Sequence, residues 1–226
     1  MPLRDHFHPP LTLRYGWSEL HGMWPGKIVE HLNAHLPPEY RAAPTVYSSG
    51  FEVDIAALDE SPGGGGTALY TSAEPTMTLE VDPLDADEFE VKVYREDNLV
   101  AAVEIVSPSN KDRPETRGVF TAKCAALLKR GVCVSIVDIV TNYRANLFDG
   151  LLDELGWPDR IAEDGIYVAT LRGRRLNGRR RVNTWYYPLS LGAPVPTLPL
   201  WIDEDLAVPL ELEASYEGAC RAIRLR

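Results

Sequence analysis

The chain has 226 residues, 45 % hydrophobic and 25 % charged, with a formal net charge of −10. Those proportions describe a globular protein and exclude a fibrous or low-complexity chain. The length suits one large domain, or two small ones at a squeeze. No apolar run reaches the roughly 18 residues that a membrane-spanning helix needs. The opening MPLRDHFHPP lacks the apolar stretch of a signal peptide, so a cytoplasmic location is expected. The acidic balance argues against general affinity for nucleic acid and leaves room only for a local basic groove. Three cysteines, Cys124, Cys133 and Cys220, are too few and too scattered for a disulfide framework or a thiolate zinc site. They read as reduced, with Cys124 and Cys133 as small core residues.

The first predicted element is a helix with Pro25 in its first turn, running through Leu36 and stopped by Pro37-Pro38. Ile28, Val29, Leu32 and Leu36 give its apolar stripe. Strand-like runs follow at 45–47, 51–58, 76–81, 89–94 and 99–106. The last two flank a polar turn and read as a hairpin. Gly63–Gly66 reads as a loop, since four glycines cannot pack a core, and no P-loop lysine follows them.

The run LVAAVEIV is almost wholly apolar, as expected of a strand covered on both faces. A polar loop, SPSNKDRPE, leads into a predicted helix over about 116–130, which Gly131 stops. A second apolar run, VCVSIVDIV, completes a crossover unit with parallel strands. A short helix at 147–155 comes next. Two strand-like runs, 166–171 and 182–187, then flank Asn177-Gly178, a strong hairpin signal. Proline-rich residues 189–209 read as an extended surface wrap, and 210–223 as a closing amphipathic helix. The expected class is α/β or α+β, with a mixed central sheet and flanking helices.

Three polar residues break apolar patterns. Glu104 interrupts LVAAVEIV and Asp138 interrupts VCVSIVDIV, each near the C-terminal end of its strand. A carboxylate in a buried strand must be paired, protonated or bound to a cation. Open α/β sheets place their sites at that end. The competing reading makes both acids strand-end groups that reach water or cap a loop. Lys123 falls within the predicted stripe of Val119, Phe120, Ala126 and Leu127. It either snorkels to solvent or neutralises Glu104. With Asp54 of EVDIA, these residues outline a carboxylate–carboxylate–lysine site. Two carboxylates suit Mg²⁺, and a lysine suits developing negative charge.

EIVSPSNK, the helix bearing Lys123, Gly131-Val132 and the Asp138 strand together resemble a bacterial family of unknown function, number four-zero-five-eight. So do Trp17-Ser-Glu-Leu-His21, LPPEY, and the arginine-rich hairpin before Trp185. The resemblance covers most of the chain from Trp17 onward. Glu104-x-x-Ser107-Pro108 is also similar to the restriction-endonuclease-like, or PD-(D/E)XK, superfamily. Those folds place an acid on one strand, then an acid and a lysine on the next, before a helix. The resemblance implies a single domain with such a core over about 40–145, elaborated by the N-terminal helix and the C-terminal hairpin and helix. It implies Asp54 and Glu104 as Mg²⁺ ligands, with Glu104 and Lys123 or Lys111 as catalytic residues. Val106 stands where the superfamily has its lysine, and Val53 where it has a proline.

Arg172, Arg174, Arg175, Arg179, Arg180 and Arg181 lie within ten residues of the predicted hairpin. A protruding basic finger of this kind contacts phosphates, and Trp185, Tyr186 and Tyr187 are placed to stack on bases. The plainer reading is a solvated hairpin paired with surface acids. His31 and His35 are four apart on a helix but lack the acid of an HExxH motif, so they read as solvated. His21 is expected to pack on Trp17. His6 and His8 lie near the terminus, where order is least expected. Ser107 and Ser109 have no nucleophile-elbow context. Two functions are therefore expected: a Mg²⁺-dependent phosphodiesterase acting on nucleic acid through the arginine hairpin, or a non-catalytic binding or assembly module with a degenerate metal site.

Overall fold

The computed structural model describes residues 2–44, 55–59, 74–81, 98–157, 165–176 and 179–225. The expectations for 45–47, 51–54, 63–66 and 89–94, Asp54 among them, lie outside these residues.

Helix α1 (Trp17–Asn33) buries Leu20, Trp24, Ile28 and Leu32, an i, i+4 stripe. Pro25 is not in its first turn: it lies well inside the helix and is itself buried. A proline there forfeits one backbone hydrogen bond, and its ring packs within the buried face.

Strands β1 (Tyr40–Pro44), β2 (Ile55–Asp59), β3 (Met77–Val81) and β4 (Asn98–Ile105) follow. Strand β4 pairs with antiparallel β2 on one edge and with parallel β5 (Cys133–Asp138) on the other. The connection from β4 to β5 contains α2 (Pro108–Lys111) and α3 (Pro114–Lys129). The expected polar loop thus holds a helical turn. Ser107 opens it, its N–H donating to Asn110 Oδ1 at 2.8 Å.

After α4 (Leu147–Glu154), the hairpin of β6 (Tyr167–Leu176) and β7 (Arg179–Pro188) forms as expected. The seven strands make one mixed sheet in the order β1-β2-β4-β5-β6-β7-β3, in which β4–β5 is the parallel pair. The proline-rich segment is not a surface wrap. It forms β8 (Thr197–Trp201) and β9 (Ala207–Glu211), a second two-stranded sheet whose Leu198, Leu200 and Leu210 are buried. Helix α5 (Leu212–Ala222) closes the fold.

Alternation along the strands divides the core in two. Ala101, Val103, Ile105, Cys133, Val137 and Val168 pack with α1, α5 and the second sheet. Val106, Val134, Ile136, Tyr167, Ala169 and Leu171 pack with α3 and α4. Both faces of β4 and β5 are covered, which is why their sequences are nearly continuous apolar runs.

The N-terminal segment is folded onto the body. His6 is a core residue, with its Nε2 2.6 Å from the Tyr216 hydroxyl. Leu3 exchanges backbone hydrogen bonds with Gly192 and Ala193. Phe7 packs against both halves of the core. Cys124, Cys133 and Cys220 are free and buried. No helix among the described residues is long and apolar enough to cross a membrane.

Candidate functional site

The parallel pairing sets Glu104 opposite Ile136 and Ile105 opposite Val137. Asp138 is two residues past Ile136, so the pleat turns Glu104 and Asp138 to the same face, the one covered by α3. Both are buried, at 1 % and 0 % exposure.

Each carboxylate has its own lysine. Lys123 of α3 places Nζ 2.7 Å from Glu104 Oε2, with 12 % of the lysine side chain exposed. Its ammonium also lies 5.7 Å from the centroid of the Phe120 ring. Lys123 is therefore not a snorkelling residue. The buried stripe of α3 is Phe120, Thr121, Cys124, Ala125 and Leu128, one position off the expected one, and Val119 is 44 % exposed. Lys123 stands at the edge of this stripe, where its stem crosses toward the strand end.

Lys111 ends α2, and its Nζ lies 2.7 Å from Asp138 Oδ2, with both side chains fully buried. Asp138 Oδ1 accepts the Val140 N–H at 3.1 Å. Burial pushes the Asp138 carboxyl up to about 6, although Lys111 and the Val140 N–H act in the opposite direction. Tyr167 stands opposite Asp138 on β6. Burial first, and then the Asp138 charge, hold its phenol well above the ordinary range. Burial and the Glu104 charge do the same to the Cys124 thiol.

An aromatic chain leads from the N-terminal segment onto this end of the sheet. The Phe7 and Trp17 rings are 4.9 Å apart, and those of Trp17 and His21 are 5.1 Å apart. His21 Nε2 donates to the Ile105 carbonyl at 3.2 Å.

The expected site residues are thus partly brought together. Glu104 meets Lys123. Lys111 is committed to Asp138, an acid not expected to share its lysine. The Ser107-x-x-Asn110 capping pattern was the signal that could have placed Lys111 on a helical turn aimed at β5. The two histidines have separate partners: His31 Nδ1 is 3.2 Å from Glu211 Oε2, and His35 Nδ1 donates to the His31 carbonyl at 2.9 Å.

The arginine hairpin divides. Arg172 is packed inward: its guanidinium donates to the Asp203 carbonyl at 3.1 Å and to the Glu204 carbonyl. It also lies 4.0 Å from the centroid of the Trp201 ring. Arg174 is exposed and lies 3.7 Å from Asp205. Register sets Arg174 opposite Arg181, Arg175 opposite Arg180 and Leu176 opposite Arg179. Trp185 is 1 % exposed and is closed to base stacking, while Tyr186 stacks on Tyr167 at 5.2 Å.

What stands at the strand ends is a pair of neutral acid–lysine dyads on an α/β sheet. No family model matches the chain, and no curated protein or solved structure matches it.

Proposed function

We propose that this chain is a non-catalytic binding or assembly module built on a restriction-endonuclease-like core. The observation that carries this reading is the matching of charge at the ends of β4 and β5. Glu104 and Asp138 are each bound by a lysine at 2.7 Å, and both are withdrawn from solvent. A cation site needs uncompensated negative charge, and here two carboxylates face two ammonium groups. The likeness to the family of unknown function belongs to the same proposal.

Mg²⁺, which the superfamily resemblance implies, takes several oxygen ligands in near-octahedral array and keeps part of its water. Among the described residues, no group of three or more His, Cys, Asp or Glu is placed to hold a metal. Glu104 offers one carboxylate, already held by Lys123. Glu104 and Asp138, each paired with a lysine, do not by themselves offer the ion a ligand set, and Asp54, the other expected ligand, lies outside the described residues.

A second reading, a metal-dependent phosphodiesterase, is favoured by one observation. Ile55, which follows Asp54 in the sequence, pairs with Val103, which precedes Glu104. Glu104 and Lys123 would then serve as the acid and lysine of the superfamily pattern. Calorimetric titration with Mg²⁺ and Mn²⁺, beside a plasmid-cleavage assay, on wild type and Glu104→Gln separates the two. Absence of a saturable metal site and of cleavage is expected. A metal site and a cleavage activity that both vanish in Glu104→Gln would overturn the first reading in favour of the second.

A further inference from the structure

The opposite end of the sheet, away from both dyads, carries a cleft of about 630 Å³. It opens where β4 and β5 begin, where α3 ends, and where β6 passes the end of β8. Its lining bears five cationic side chains, Lys129, Arg130, Arg172, Arg174 and Arg181, against two carboxylates, Asp203 and Glu204. In a chain of net charge −10 this is a local reversal of sign.

Three features give the cleft its chemistry. Arg174 and Arg181 are directly opposite each other across β6 and β7. Arg174 lies 3.7 Å from Asp205, whose side chain is 94 % exposed, and a ligand phosphate would take the place of that solvent-facing carboxylate. Next, Lys129 and Arg130 sit at the C-terminal end of α3, where helix carbonyls bring partial negative charge. Their side chains set two positive charges beside it, and Arg130 is exposed. Finally, Arg172 is fixed by the Asp203 and Glu204 carbonyls and by the Trp201 ring, so one guanidinium is held rigid in the wall. Its Nη2 group is already engaged, so Arg172 shapes the wall and leaves phosphate contacts to the other arginines of the cleft.

We propose that this cleft binds a small phosphorylated molecule of about nucleotide size through Arg130, Arg174 and Arg181. The volume lies within the range of small-ligand sites. A cleft of this size suits a compact ligand. The proposal goes beyond the function argued above and does not depend on whether Glu104 takes part in catalysis.

The probes are inorganic pyrophosphate, ATP and a single-stranded oligonucleotide, each titrated calorimetrically into wild type, Arg130→Ala/Arg174→Ala and Glu104→Gln. Both arginines are exposed, so the double variant should melt like wild type. Saturable binding of pyrophosphate or ATP is expected, about tenfold or more weaker in the double variant, weaker at higher salt, and unchanged in Glu104→Gln. Saturable binding that survives the double substitution would place the site elsewhere. No saturable binding of either small probe, or binding of the oligonucleotide alone, would overturn the proposal.

Discussion

Lys111 Nζ lies 2.7 Å from Asp138 Oδ2 with neither side chain reaching solvent. Removing the lysine leaves a carboxylate that burial already disfavours. Lys111→Met should destabilise the fold by about 3–5 kcal/mol. Adding Asp138→Asn should recover part of that loss, because neighbours in one ion pair do not act independently. Urea melts of the two single variants and the double variant measure the coupling, and strict additivity would refute it.

Glu104 and Lys123 predict a related but milder result. The lysine is 12 % exposed, so water reaches part of the pair. Lys123→Met should cost less than Lys111→Met, and Glu104→Gln should reduce that cost in the double variant. Equal stability of Lys123→Met and wild type would show that the pair contributes nothing to the folded state.

Stability between pH 4 and 6.5 should reflect two opposing titrations. Burial, and after it the Arg4 charge, lower His6 from 6.5 to about 4. The folded state then binds the proton less well than the unfolded one, so this contribution is complete above pH 6.5 and is lost as pH falls toward 4. Asp138 is raised from 3.8 to about 6, so the folded state binds its proton more tightly. Its contribution is complete below pH 3.8 and is lost as pH rises toward 6. His6→Gln should therefore make the protein lose stability as pH rises through this window, relative to wild type. Asp138→Asn should make it gain stability over the same range. Denaturant melts at half-unit pH steps test both slopes, and two variants with parallel profiles would contradict the assignment.

Gly173 is required by a close approach. A Cβ built there would lie 2.9 Å from the Leu128 carbonyl oxygen, which belongs to helix backbone and cannot rotate away. Gly173→Ala should destabilise by about 1–3 kcal/mol through overpacking. A thermal melt within error of wild type would show that β6 and α3 can separate without cost.

The central crossover was legible in the sequence because two long apolar runs, a helix and a glycine stop all pointed the same way. The partner of Lys111 was not, since it depends on where a short capped turn aims one side chain. The stripe of α3 was read one position off. Small residues such as Thr121, Cys124 and Ala125 face the sheet and let the helix approach, while apolar Val119 stays exposed. The proline-rich segment misled for a different reason. Prolines are excluded from central strands but tolerated on edges. Pro199 and Pro209 stand opposite each other in a sheet of only two strands. His6 was read as terminal by its number, yet Tyr216 gives it a buried partner. Of the candidate site, the Glu104–Lys123 contact was one of two readings the residues left open, and the inward turn of Arg172 had no sequence signal.

The pairing of the first residues with the last helix sets an order of events during synthesis. The Arg4 N–H donates to the Tyr216 hydroxyl at 3.1 Å, and His6 meets the same group, across 212 and 210 positions of sequence. Neither contact can form until α5 has left the ribosome. Closing so long a loop is slow, and these two contacts come after the strands have emerged. Until then, the buried place that Tyr216 fills beside Arg4 and His6 stays open to chaperones or to other nascent chains.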